Sequence, residues 1–149
     1  MANATYSPAS ASVTVLNSEL SSLANNTLSG LSGSGTGVVL DNTTNADLFG
    51  NFEALLTFGT APTVQTTLDL YAVPSLDGTN YAQIANAPPT EASYLVGSFT
   101  VEATTSAQRI AFVGWNIPGP YKFKFALHNN GTGQTLTSGT VKVQTYSVV

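Results

Sequence analysis

The chain has 149 residues and a mass of 15.4 kDa, room for one domain that buries a hydrophobic core of its own. Four basic and eight acidic residues leave a net charge of −4, which excludes the basic footprint of a nucleic-acid or anionic-membrane binder. The absence of cysteine excludes a disulfide scaffold, a thiolate nucleophile, a zinc ribbon and an iron–sulfur cluster.

The opening residues, MANATYSPASAS, carry neither the positive n-region nor the apolar h-region of a secretory signal, and no run approaches the length of a spanning helix. The four Asn-x-Ser/Thr matches at Asn3, Asn25, Asn42 and Asn130 then follow from composition alone. Residues 1–37 are rich in Ala, Ser, Asn and Thr and end in the run Leu31-Ser-Gly-Ser-Gly-Thr-Gly37. They read as an N-terminal arm closed by a Gly/Ser linker. Within it Val13, Leu16, Leu20 and Leu23 recur at spacings of three, four and three, which predicts one face of a short helix. The other reading is an arm that stays flexible until it docks.

From residue 38 to 149 the period changes to two, and short segments rich in Val, Thr, Phe and Tyr alternate with Gly, Pro and Asn. Leu48 to Phe58 reads as a strand with a bulge or bend at Gly50. Val64 to Val73 follows, with Leu68, Leu70 and Ala72 on one face, and the two segments are expected to form an antiparallel hairpin. Asp77-Gly78 marks a turn, and the stretch through Ala87-Pro-Pro-Thr90 reads as a long surface excursion. Strands are expected at Tyr94 to Val101, Gln108 to Gly114 and Tyr121 to His128. The last sends Tyr121, Phe123, Phe125 and Leu127 inward. After the turn at Asn129-Asn-Gly-Thr-Gly133, Gly139 to Val149 supplies a final strand. The fold class is therefore all-β: a jelly-roll-like antiparallel β-sandwich with an N-terminal arm containing a short helix.

Residues suited to catalysis are sparse. His128 is the only histidine, and amides flank it rather than carboxylates, so an edge histidine with a structural or interface hydrogen bond is expected instead of a general base. Asp41, Thr43, Asn45 and Asp47 place oxygens at alternating positions, but glycine is missing from the sixth position and Phe52 stands where an EF-hand needs Glu. An Asx-rich turn is expected there. Glycines 33, 35 and 37 lack both a preceding strand and P-loop spacing. Asp69, Glu91 and Glu102 are each isolated, without the pairing that glycoside hydrolysis requires. Trp115 lies near a strand end, either as a stacking platform for a sugar ring, or as a plug at the end of the sandwich or a residue of a subunit contact.

The succession Leu68-Asp-Leu-Tyr71, Pro74-Ser-Leu-Asp-Gly-Thr-Asn-Tyr81, Val96-Gly-Ser-Phe-Thr-Val101, Thr104-Thr-Ser-Ala-Gln-Arg109 and Tyr121-Lys-Phe-Lys124 resembles a group of small virion proteins of tailed bacteriophages. Elements like Ser18-Glu-Leu-Ser-Ser-Leu23 and Asp41 to Thr44 occur in that group too, so the resemblance runs from about residue 17 onward. It implies a non-enzymatic capsid decoration, or cement, protein that is made in the host cytoplasm and sits on the outer surface of the virion. The implied partners are the major capsid protein and further copies of itself in a homotrimer, with neither nucleic acid nor membrane. A place in the tail or at the head-to-tail junction is a second setting. Catalytic, cofactor and metal residues are expected to be none, and the interaction residues are expected to be Val13, Leu16, Leu20, Leu23 and Trp115.

Overall fold

The computed structural model of the chain describes residues 5–7, 9–84 and 94–148. The sequon at Asn3, the Ala87 to Thr90 excursion and Glu91 lie outside the described residues. Among the described residues eight strands are present: β1 Val13–Leu16, β2 Leu40–Asp41, β3 Phe49–Phe58, β4 Thr67–Ser75, β5 Leu95–Thr100, β6 Gln108–Asn116, β7 Lys122–Asn130 and β8 Leu136–Tyr146. They form two four-stranded antiparallel sheets, ordered β1-β8-β3-β6 and β2-β7-β4-β5.

In this order the first strand pairs with the last, the second with the seventh, the third with the sixth and the fourth with the fifth. A long antiparallel ribbon rolled across two sheets gives that pattern, which is the double Greek key of a jelly roll. Rolling also explains why the expected hairpin between the third and fourth strands does not form. β3 pairs with β6 and β8, while β4 pairs with β5 and β7 in the opposite sheet, so the chain changes sheets at residues 59–66.

Between the sheets lie Phe52, Ala54, Leu56 and Phe58 of β3, Leu68, Leu70 and Ala72 of β4, Phe99 of β5 and Phe123, Phe125 and Leu127 of β7. These are the alternate positions that a pleated strand turns to one side. The bulge expected at Gly50 is present, as a register shift between Gly50 and Phe52. β4 is buried on both faces, with Asp69, Tyr71 and Val73 also covered.

The N-terminal region differs most from the sequence expectation. Val13 to Leu16 form an edge strand paired with β8, and a single 3-10 turn, Ser18–Leu20, replaces the helix. The three-four-three spacing arises because a register shift between Thr14 and Leu16 puts Val15 and Leu16 both inside, and the turn then points Leu20 inward too. Leu16, Leu20 and Leu23 belong to the central core, and Val13 packs against it. These four residues therefore hold the fold together and do not form a face offered to a partner. A separate arm over the described part of residues 1–37 is corrected for the same reason, since it shares its core with residues 38–149.

The Gly/Ser stretch is likewise structural. Asn26, Ser29 and Ser32 donate backbone N–H bonds to the carbonyls of Asn129, Leu127 and Phe125 at 2.8, 2.9 and 2.8 Å. In return the Ser29 and Ser32 hydroxyls accept from Leu127 N and Phe125 N at 2.9 and 2.6 Å. Two serine side chains thus stand in for strand carbonyls and close the β7 edge beyond the two-residue β2, satisfying buried backbone groups that a bare edge would leave open.

Candidate interaction surface at the aromatic end

The roll distributes its connections to two ends. At one end lie residues 17–27, 59–66, 101–107 and 131–135, which contain no aromatic residue, and residues 28–32 run from there along the β7 edge. At the other end lie the β2–β3 and β6–β7 connections, the described residues 76–84 and 94 between β4 and β5, and residues 5–7 and 147–148. They are tied together by Ile117 N donating to Leu48 O at 2.9 Å and Asn42 N to Tyr121 O at 3.1 Å. Tyr6, Tyr81, Tyr94, Tyr121, Tyr146, Phe49 and Trp115 gather there, whereas Tyr71 is buried within β4.

Several of these rings are packed into place. Tyr146 stacks on Phe49 at 5.3 Å between centroids and meets Tyr6 at 6.0 Å. Trp115 lies 5.5, 5.4 and 6.0 Å from Phe52, Phe123 and Phe125, so it plugs the end of the sandwich, the second of the positions expected for it. Its remaining surface lines a cavity of about 180 Å³ with Tyr94, Leu95, Pro118 and Pro74. Around this end Leu76 is 76% exposed, Tyr6 67% and Leu48 51%. Tyr6 is the exposed aromatic among these, the other rings being half-buried, so this end offers separate exposed apolar side chains beside partly covered rings, a candidate surface for a protein contact.

Among the described residues, the carboxylates at this end already have partners. Asp41 accepts from Thr43 N and Oγ1 at 3.0 and 2.6 Å and faces Lys122 Nζ at 3.3 Å. Asp47, nearly buried, accepts from the hydroxyls of Thr145 and Ser10 at 2.5 and 3.1 Å. The Asp41 to Asp47 segment is an Asx turn, closed internally by Asp41 on Thr43 and by the Asn42 side chain on Asp47 N and O, with Lys122, Thr145 and Ser10 supplying the remaining partners of its carboxylates. Asp77 accepts from Thr79 N, Asn80 N and Asn80 Nδ2 at 2.8, 2.7 and 2.8 Å. The backbone and side-chain donors of Asn80, followed by Thr79 N, hold its carboxyl well below the usual range. Lys124 sits 4.7 Å over the Tyr81 ring.

His128 is not at the surface. It is 2% exposed within β7, opposite Asp69 of β4, and neither ring nitrogen has a hydrogen-bond partner. The hydrogen bond expected of an edge histidine is absent. Burial pushes its pKa down, against the opposing pull of Asp69, so the ring is neutral at pH 7. Among the described residues no three His, Cys, Asp or Glu side chains gather as a metal site.

The glycine triplet has a role that its spacing does not reveal. Glu19 projects into the Gly33 to Gly37 loop, where its carboxylate accepts from Asn17 N at 2.9 Å and from Gly35 N and Gly37 N at 3.0 Å. The loop is a nest for an anion, and the chain's own carboxylate fills it. Partial burial raises the Glu19 pKa, but the surrounding backbone N–H groups outweigh it, and the carboxyl lies below its ordinary value of 4.5. A depressed acid contributes stability that is present above its unfolded pKa and is lost as pH falls through the folded one. Glu19→Gln is therefore expected to cost about 1–2 kcal/mol at neutral pH. Urea titrations of both proteins across pH should show that gap constant above about pH 5 and closing at lower pH. A gap independent of pH would mean that the carboxylate charge is not what the loop recognises.

No protein-family model matches the chain, and no curated protein matches it either.

Proposed function

We propose that the protein is a non-enzymatic structural component of a bacteriophage virion. In this reading it is a capsid decoration, or cement, protein that binds the outer surface of the assembled major-capsid-protein shell and stabilises it. The observation that carries the reading is the aromatic end: the exposed side chains of Leu76, Tyr6 and Leu48 beside half-buried rings, with the described carboxylates there compensated. The run of phage-like motifs from Leu68 to Lys124 supplies the setting. Attachment by such a surface works through area and complementarity, and uncharged Thr, Ser and Asn enter an interface at lower desolvation cost than Lys or Glu. Self-association as a homotrimer belongs to the same reading, because several weak contacts on a repeating shell then act together.

Co-sedimentation with shells lacking the protein tests this. Wild type is expected to sediment with them, and Leu76→Asp, which puts a charge on the exposed aromatic end, should weaken binding about thirtyfold. Val64→Asp, exposed at the opposite end, should bind as wild type does. Binding unaffected by Leu76→Asp, or none by wild type, rejects the reading.

A second reading, a carbohydrate- or receptor-binding module, draws on the 180 Å³ cavity beside Trp115 and Tyr94. A glycan-array signal abolished by Trp115→Ala would favour it.

A further inference from the structure

Asn130–Gly131 is the chain's single Asn-Gly step, and it sits at the exposed end of β7 with Gly131 at φ +71°. In such a step the glycine nitrogen can attack the side-chain amide before it, because no Cβ obstructs the approach. A bond forms between Gly131 N and Asn130 Cγ, and the Cγ–Nδ2 bond breaks. Ammonia leaves with the proton from Gly131 N. Water, the only co-reactant, then opens the succinimide to aspartate or its β-linked isomer.

Here both reacting groups are held. Gly131 N donates to Asn26 Oδ1 at 3.0 Å, and Asn130 Nδ2 donates to Asp69 Oδ2 at 2.8 Å. Asn26 is itself fixed, at φ +57° and with its N–H on Asn129 O at 2.8 Å. The amide that would be lost serves a nearly buried carboxylate. Asp69 is 9% exposed, its other oxygen accepts from Ser98 Oγ at 2.6 Å, and its cross-strand neighbour is the unpartnered His128. Conversion would replace the donor facing Asp69 by a second carboxylate.

The geometry points to Asn130 as a spontaneous modification site, a slow deamidation whose rate is set by the hold of Asn26 on Gly131 and whose product unseats Asp69. The test incubates the full chain at mildly alkaline pH and measures conversion at residue 130 by peptide-mapping mass spectrometry. Folded wild type is expected to convert more slowly than the same chain in denaturant. Asn26→Gly, which suits the positive φ, should raise the folded rate about five- to tenfold, the factor carried by one hydrogen bond. That variant creates an Asn25-Gly step, so the readout is resolved by site. Asn26→Ser, whose shorter side chain withdraws the acceptor, should behave alike. If either variant proves unfolded by its denaturation midpoint, Asn26→Asp takes its place. It keeps an acceptor on Gly131 N and must convert no faster than wild type.

Residue 130 converting in folded Asn26 variants at the wild-type rate overturns the assignment, as does a fast Asn26→Asp. For the product, Asn130→Asp should be less stable than Asn130→Ala at pH 7. Equal stability at pH 7 overturns the claim that deamidation unseats Asp69.

Discussion

Phe52→Ala should lose about 3–5 kcal/mol of stability, the largest single effect expected in this protein. Phe52 is 1% exposed on β3 and joins the two sheets. Its ring lies 5.1 Å from Phe112 and 5.5 Å from Trp115 in its own sheet, and 5.5 Å from Phe125 across the interior. Removing the ring loses both its transfer from water and the contacts of its neighbours, because strands locked in two ladders cannot close the space. Urea unfolding should show a lower midpoint with unchanged slope, since the surface exposed on unfolding is nearly the same. Val113→Ala, at a position 76% exposed on β6, should stay within about 0.5 kcal/mol of wild type. A loss below about 1 kcal/mol for Phe52→Ala would mean that the two sheets do not pack through this ring.

Gly37→Ala is expected to cost about 3 kcal/mol, at the upper end for overpacking. The residue lies where the Gly-rich loop passes against β1. A Cβ there would run into the carbonyl group of Val15 and come within 2.9 Å of Leu16 Cα. Those atoms are backbone, and β1 is held by its pairing with β8, so neither side can yield cheaply. The same shift would move Gly37 N off Glu19. Gly78→Ala makes a useful contrast. It has open space around it but a φ of +76°, and should cost only about 1 kcal/mol. Thermal melts of the two variants should therefore separate clearly. A Gly37→Ala protein as stable as wild type would return the segment to the status of a linker.

Much of the sandwich was legible because alternation survives wherever a strand has one wet face. Phe123, Phe125 and Leu127 are buried as the pattern requires, and the strand limits at β3, β5 and β7 lie within two residues of those expected. Pairing was less legible. Adjacent strands with a short connection suggest a hairpin, yet residues 59–66 carry the chain between sheets, and only contacts distant in sequence decide this.

The N-terminal region misled for a different reason. Short apolar spacings of three and four fit a helix, but here a bulged strand and a 3-10 turn produce them. The composition of the Gly/Ser stretch suggested a linker because its partners, Glu19 and the β7 edge, cannot be read from the stretch itself. The same spacing suggested an interaction face where the fold has core. Val13, Leu16, Leu20 and Leu23 are needed by the core, whereas the exposed apolar surface of Leu76, Tyr6 and Leu48 belongs to the aromatic end. No sequence period marks that end, since the roll gathers it from five separate segments.

The proposal that this end seats the protein on a phage shell is tested most directly by a cryo-EM map of shells lacking the protein after incubation with it. The expected result is jelly-roll density on the outer surface, in trimers, with Leu76, Tyr6 and Tyr94 turned toward the shell and Val64 turned away. Shells without added density, or density with the aromatic end facing solvent, would contradict it.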